Sequence, residues 1–474
     1  MTKPMDPEHA EVPTDRARAI DRRSVLRAAL AAGGATAAYA AIPSAAGASS
    51  PAPLSFPDPP PATATAGMQF FTDPSLDFQT RFAFGAAGYG AAEFGEVLTF
   101  VNEANAAGGT YQAFVDACSA MGARVASDAR RAERQDHPVT AAAGYLRAAE
   151  YYAQSLYFTL GTSTPAAEPA VYATMRAYWD KFCDLSDPPI KRVRIPYGGS
   201  SIPGYLLTPE PNGPPRPTII MNNGSDAQSV ELWGYGGASA LERGYNALIF
   251  EGPGQGATLF EREIPFRPDW EKVIGPVIDF LEGQEVVDQS KIAITGWSMG
   301  AELVIRAAAF EPRLAAVVSD PGCVSIWEGW PDDAKALAEA GTPREVNEAW
   351  AGVVEGFTPA QAFNLRKRSE IFSKQFLHQA RAGEVPPNFA ELSSTIKKYE
   401  VREVAGRLKM PVLVTKYEEE QFFVGQAQQL FDLLRAPKEL TEFTVAEGAQ
   451  LHCGPMAPQR RNEVVFDWLD DILR

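Results

Sequence analysis

Ser298 is the residue of this chain best placed to act as a nucleophile. It is the apex of Gly296-Trp297-Ser298-Met299-Gly300, between a short apolar run (Ile292, Ala293, Ile294) and an Ala-rich stretch that reaches Phe310. That order reads as strand, tight turn, helix. A serine at such a corner takes a strained backbone conformation, and the flanking glycines let neighbouring backbone pass without a Cβ clash. Its hydroxyl then stands at a helix N-terminus, where the N–H of Met299 can hold an oxyanion. The bare pattern G-x-S-x-G arises by chance in many chains. Its place between strand and helix favours an activated serine over an ordinary turn.

A serine hydroxyl needs a base, commonly a histidine oriented by a carboxylate. The sequence has 4 histidines. His9 lies near the N-terminus, His137 precedes a long helical stretch, and His378 falls in a charged helical segment. His452 sits in Glu447-Gly448-Ala449-Gln450-Leu451-His452-Cys453, after the last expected strand and before the last expected helix. Elimination and position both select it. The acid is expected after the next-to-last strand, where Lys416-Tyr417-Glu418-Glu419-Glu420-Gln421-Phe422-Phe423 contains no aspartate. Glu420 is the favoured acid, Glu418 the alternative, and Asp320, after an earlier strand, an outsider; the competing reading is a solvated acidic loop. A second oxyanion donor is expected from Gly224 or Ser225 in Asn222-Asn223-Gly224-Ser225-Asp226. The run Glu251-Gly252-Pro253-Gly254-Gln255-Gly256 lacks the Lys-Ser/Thr of a phosphate loop and the spacing of a dinucleotide fingerprint. It reads as a tight turn at the rim of the pocket.

These groups need a scaffold. Residues 188–320 alternate strand and helix: a hairpin (193–195 and 205–207, through Gly198-Gly199), then strands 218–221, 247–250, 292–295 and 315–319 with helices 231–243, 270–282 and 301–310 between and after them. Such alternation implies a mostly parallel sheet with helices on both faces, and chemistry at the C-terminal strand ends. Residues 324–407 interrupt it as a helical insertion, expected to lie over the site as a lid. Strand 412–415, helix 426–434, strand 442–445 and helix 462–473 complete the pattern. Residues 67–187 are Ala-rich and mainly helical, clearest over 142–160, with Pro138 near its start and Gly161 just past its end. Tyr145, Ala149, Tyr152 and Leu156 recur there at helical spacing, and core or interface packing is preferred over a substrate wall.

The 474-residue length suits two or three domains or one large domain with insertions, and 45% hydrophobic with 22% charged residues fits a globular chain. A net charge of −16 argues against nucleic acid and anionic membrane as partners. Cys118, Cys183, Cys323 and Cys453 are widely spaced, which disfavours a zinc site. Asp21-Arg22-Arg23-Ser24-Val25-Leu26-Arg27, a mild apolar stretch to Ile42 and Ala46-Gly47-Ala48 resemble a twin-arginine signal peptide over 1–48. Residues 49–66 are a Pro/Ala/Ser tether. The expectation is export to the periplasm or medium, with the twin-arginine machinery as a partner before cleavage. A folded export substrate needs no disulfide framework, although an oxidising destination would permit one bridge.

Taken together, EGPGQG, FRPDWEKVIGPVIDFLE, VDQSKIAITGWSMGAELVIRAAAFEPRLAAVVSDPG, EEEQFFVGQAQQLFDLL and EGAQLHC resemble the FrsA-like (DUF1100) branch of the α/β-hydrolases over roughly residues 140–474. The branch includes fungal polyketide-shortening pigment hydrolases and 2,6-dihydroxypseudooxynicotine hydrolases. The resemblance implies an α/β-hydrolase fold over 188–474 behind an N-terminal helical cap, with Ser298 as nucleophile and His452 as base. It also implies hydrolysis of a C–C bond next to a ketone, or of a carboxylic ester. The chain departs from the family where Glu420 replaces an aspartate, Asn222-Asn223-Gly224 a His-Gly-Gly, and Ala301 a second glycine. C–C cleavage leaves a carbanion that an acid must protonate. Glu328, between Trp327 and Trp330, is the candidate, since an apolar pocket would keep its carboxyl protonated; a lid residue facing water is the alternative. The expected substrate is a small acyl compound, aromatic or polyketide-like. No metal or organic cofactor is implied, and a homodimer is one open assembly. The rival readings are a simple carboxylesterase and an inactive binding protein on a hydrolase fold.

Overall fold

The computed structural model describes residues 68–473. The expected signal peptide and tether lie outside the described residues. The cap consists of α1 (Pro74–Ala86), α2 (Phe94–Ala106), α3 (Tyr111–Arg134), α4 (Pro138–Phe158) and α5 (Glu168–Leu185). Asp73 caps α1 by accepting from the N–H groups of Ser75 and Leu76, and Thr110 caps α3 through the N–H of Ala113. Pro138 opens α4 at its first turn, where a missing N–H loses nothing. The stripe on α4 packs within the cap: Tyr145 and Tyr152 both lie against Tyr178 of α5, at 5.9 and 5.7 Å between ring centroids.

The sheet comprises β1 (Lys191–Tyr197), β2 (Ser200–Leu207), β3 (Arg216–Asn222), β4 (Asn246–Phe250), β5 (Val287–Trp297), β6 (Ala316–Asp320), β7 (Val412–Tyr417) and β8 (Lys438–Phe443). Their spatial order is β1-β2-β4-β3-β5-β6-β7-β8, with the first two pairings antiparallel and the remainder parallel. Every residue of β4 and β6 is buried, as strands covered by helices on both faces must be. The α/β-hydrolase architecture expected from the sequence is therefore present. Helix α6 (Glu271–Glu282) follows β4, and α7 (Met299–Ala308) follows β5.

Two expected elements differ. The helix read over 231–243 is broken into Ser229–Leu232 and Ala238–Glu242 by a wide turn at Trp233–Gly237. Gly236 there has φ +150°, and a Cβ on it would meet Met221 Cε at 2.4 Å, so the glycines that break the helix also let it approach β3. The last strand lies at Lys438–Phe443 rather than 442–445. Its pairing with β7 runs from Lys438 opposite Val412 to Phe443 opposite Tyr417, so register rather than the most apolar stretch fixes its bounds.

Between β6 and β7 the insertion forms α8 (Asp332–Ala338), α9 (Pro343–Val354), α10 (Pro359–Ser369), α11 (Lys374–Arg381) and α12 (Phe389–Ile396). Thr342 with Glu345 and Thr358 with Gln361 form capping boxes that start α9 and α10. The insertion is fastened to the cap. Phe363 packs on Tyr111 and Phe158 at 4.6 and 5.3 Å, and Arg381 pairs with buried Glu168 at 3.0 Å. Helices α13 (Gln426–Leu433) and α14 (Pro458–Leu473) close the chain.

Beneath the sheet's C-terminal edge, Arg461 of α14 donates to Asp320 Oδ2 at 2.7 Å, both side chains almost wholly buried. Thr415 and Tyr417 donate to Asp320 Oδ1 at 2.5 and 2.6 Å. Replacing Arg461 by Met would leave an uncompensated buried carboxylate. The expected loss of stability is about 3–5 kcal/mol, read from the urea-unfolding midpoint against wild type.

Candidate active site

Ser298 directly follows β5 with φ +56° and ψ −123°, a backbone region that a non-glycine residue seldom occupies. Its N–H donates to the carbonyl of Asp320 at 2.8 Å, which holds the corner in place. The flanking glycines are required by contact. A Cβ at Gly296 would lie 2.1 Å from the carbonyl oxygen of Gly300, and one at Gly300 would lie 2.6 Å from that of Asn223. The corner is thus the strained strand-to-helix turn expected from the sequence.

The structure brings Ser298, His452 and Glu420 together. His452 Nε2 is 2.9 Å from Ser298 Oγ, and Nδ1 is 2.7 Å from Glu420 Oε1. Gln421 fixes the loop backbone by accepting the main-chain N–H of His452 on Oε1 at 3.1 Å, and the ring of Phe422 packs on the imidazole at 4.7 Å. Glu420 Oε1 accepts in addition from the N–H groups of Phe422 and Phe423 at 2.9 and 3.0 Å. Burial pushes the Glu420 carboxyl up, but the charge and hydrogen bond of His452 and the two backbone donors outweigh it and hold it below the usual range. The longer side chain of glutamate thus reaches the position for which the loop offers no aspartate. The alternatives are occupied elsewhere. Glu418 is exposed and accepts from Val445 N–H at 2.8 Å, and Asp320 is committed to Arg461. His137 is exposed at the start of α4, and His378 pairs with Glu263 on the insertion's surface at 3.0 Å.

The oxyanion expectation is corrected in part. Gly224 packs against the corner, where a Cβ would lie 2.5 Å from the carbonyl oxygen of Trp297, but its N–H donates to Asn223 Oδ1 at 2.8 Å. That N–H is spent. Ser225, one residue on, has an N–H without an acceptor among the described residues, and it shares the cavity with Met299, whose N–H opens α7. Ser225 and Met299 are the donors the geometry supports. The turn from Glu251 to Gly256 lies behind this loop rather than at the cavity rim. Gln255 Nε2 donates to the Asn223 carbonyl at 2.7 Å, and buried Glu251 accepts from Ser229 and Tyr172.

Glu328 does not enter the cavity. Its carboxylate pairs with Arg402, also half-exposed, and the flanking Trp327 and Trp330 stack on each other at 5.4 Å. The three-residue turn that carries it points the two indoles inward and the carboxylate out. A cavity of about 150 Å³, open at its mouth, does lie over Ser298, between cap, corner and insertion. Phe78 and Phe82 of α1, Trp330 and Phe372 make it apolar; Asp226, Glu231 and Arg368 supply charge-bearing groups. Burial, and then the neighbouring carboxyl of Glu150, hold Glu231 well above the usual carboxylate range. Sequence reasoning missed Gln421, Asp226, Glu231 and Arg368. Gln421 adjoins Glu420, and Asp226 ends the oxyanion loop, both in stretches already singled out; nothing local marked Glu231 or Arg368.

Residues 122–327 match the family of FrsA-like esterases. The chain has the α/β-hydrolase fold, and its resemblance to that branch holds. A hydrolase of Fusarium sp (LUC6) is 29% identical over 421 residues, spanning 85% of this chain and 97% of the relative. The 20-hydroxy-prefusarin hydrolase FUS2 of Gibberella moniliformis is 36% identical over 193 residues, 39% of this chain and 46% of the relative. The solved structure of 2,6-dihydroxy-pseudo-oxynicotine hydrolase shares the fold at a TM-score of 0.59 and 22% identity, covering 82% of this chain and 95% of that one.

Replacing Glu420 by Gln removes the charge that orients and stabilises the imidazolium. The expected fall in kcat is about 10³–10⁴-fold on p-nitrophenyl acetate, whereas Glu418→Gln stays within about twofold of wild type. Because the folded-state pKa of Glu420 is depressed, its stabilising contribution is present above the unfolded value of about 4.3 and is lost as pH falls through the folded value. Acid unfolding followed by circular dichroism should therefore separate Glu420→Gln from wild type less at low pH than at neutral pH.

Proposed function

We propose that this α/β-hydrolase is an exported serine hydrolase that cleaves a C–C bond next to a ketone, or an ester bond, in a small acyl compound of aromatic or polyketide-like character. The observation that carries the reading is the continuous relay from Glu420 through His452 to Ser298 beneath a largely apolar cavity. Ser298 Oγ attacks the carbonyl as His452 Nε2 takes its proton, and Glu420 stabilises the resulting imidazolium. The N–H groups of Met299 and Ser225 receive the oxyanion. Collapse of the tetrahedral intermediate transfers the proton from His452 to the departing carbon or oxygen. Water, deprotonated by the same imidazole, then releases the acyl group from Ser298. The curated relative named as a 20-hydroxy-prefusarin hydrolase supports an extended organic substrate.

The orientation of Glu328 favours a second reading, a simple carboxylesterase. With that carboxylate outside the cavity, His452 alone must protonate the leaving group, which is less demanding for an alkoxide than for a carbanion. Turnover of benzoylacetone separates the two readings. The relay through Glu420 speaks against an inactive binding protein.

A fluorophosphonate probe should label the mature protein at Ser298, and the label should be lost in Ser298→Ala. A folded wild-type protein that takes no label would count against the reading. Export rests on the Arg22-Arg23 motif; changing both to Lys should retain the precursor in the cytoplasm, as followed by fractionation.

A further inference from the structure

Arg368 belongs to α10 of the insertion and lines the cavity that contains Ser298. Its Nη1 donates to Asp226 Oδ2 at 2.6 Å, and its guanidinium carbon lies 5.3 Å from the centre of the Phe422 ring. Phe422 in turn packs on His452, and Asp226 directly follows Ser225. The guanidinium is therefore seated one aromatic ring from the imidazole and one residue from the oxyanion donor. Burial raises the Asp226 carboxyl, but Arg368 and Lys367 outweigh it and keep Asp226 ionised; Arg368 likewise stays charged.

A structural ion pair would need only the Nη1 contact. The Nε and Nη2 hydrogens of Arg368 have no acceptor among the described residues, and the side chain remains 30% exposed. Nε and Nη2 form one straight edge of the fork, the edge that matches a carboxylate in two parallel hydrogen bonds. A neutral substrate filling the cavity would strip water from that edge and leave it unpaired, a penalty that favours an anion by discrimination rather than by attraction alone. Glu231, another acidic group lining the cavity, has its carboxyl pushed well above the usual range by burial, which disfavours a second negative charge there.

We propose that Arg368 recognises a carboxylate on the substrate, so that the preferred substrates are acyl compounds with an apolar body and a free carboxylate near the scissile carbonyl. Asp226 fixes the fork so that its second edge faces the ligand. This deepens the reading of the cavity as a hydrolase site and rests on it.

The test compares 3-phenylpropionate with 3-phenylpropionamide, which share a skeleton and differ in charge, as ligands of the mature wild-type protein by titration calorimetry and as inhibitors of p-nitrophenyl acetate hydrolysis. The carboxylate is expected to bind about tenfold or more tightly than the amide, a difference of about 1.4 kcal/mol. Arg368→Met should erase that preference and Arg368→Lys should restore part of it. Equal binding of the pair by wild type, or a preference that survives in folded Arg368→Met, overturns the proposal. The wild-type pair decides the matter if the Met variant does not fold. Absence of p-nitrophenyl acetate turnover would fall on the hydrolase reading, whereas the calorimetric comparison tests Arg368 without it.

Discussion

Asp320 joins the parts of the molecule that the reaction requires. Its carbonyl takes the N–H of Ser298, while its carboxylate takes Arg461, Thr415 and Tyr417. One residue thereby ties the nucleophile's corner to the next strand and to the helix that follows the histidine loop. A carboxylate this deeply buried is tolerable only when its oxygens are fully engaged and a cation lies against it. That requirement explains why Arg461 is itself almost inaccessible and why it also reaches Tyr235 and Thr295. The strained φ of Ser298 persists because the surrounding network leaves the chain no alternative path.

The cover over the site is held by a different kind of contact. Lys367 and Glu370 of the insertion form a buried pair at 2.7 Å, and Arg381 engages Glu168 of the cap. Burial, and then the neighbouring Glu168, push the Glu370 carboxyl well above the usual range, and the two cations Lys367 and Arg381 stand against the two acids. Aromatic packing of Phe363 against Tyr111 and Phe158 supplies the rest. Cap and insertion therefore behave as one roof above the sheet.

The sequence made the scaffold legible wherever pattern and period coincide. The central parallel strands carry apolar runs, the serine corner is marked by two glycines, and His452 stands out because so few histidines compete with it. Glu420 could be favoured within its loop, with Glu418 as the alternative; the structure adds the direction of each side chain, Glu420 towards His452 and Glu418 towards the Val445 N–H. The same limit applies to Gly224, whose N–H is taken by the side chain just before it, and to Glu328, which a short helical turn aims at Arg402. The helix read over 231–243 failed because glycines at 234, 236 and 237 open a wide turn that contact with β3 rewards. Arg368 was invisible because its meaning comes from Asp226 and Phe422, which are remote in sequence.

Helix α1 carries a consequence for how the protein is made. It lies at the start of the described chain, yet Phe78 packs on Phe422 at 5.8 Å and Phe82 on Trp297 at 5.8 Å. A Cβ at Gly85 would overlap the carbonyl oxygen of Pro455, just past the histidine, so the first described helix and the segment after the histidine meet with no room to spare. Domains emerging from the ribosome ordinarily fold in order of synthesis. Here the first helix of the described residues must wait for residues made much later before its apolar face is covered. A chain arrested partway through translation would display that face uncovered, a nascent species exposed to chaperones and to aggregation until its last segment is released.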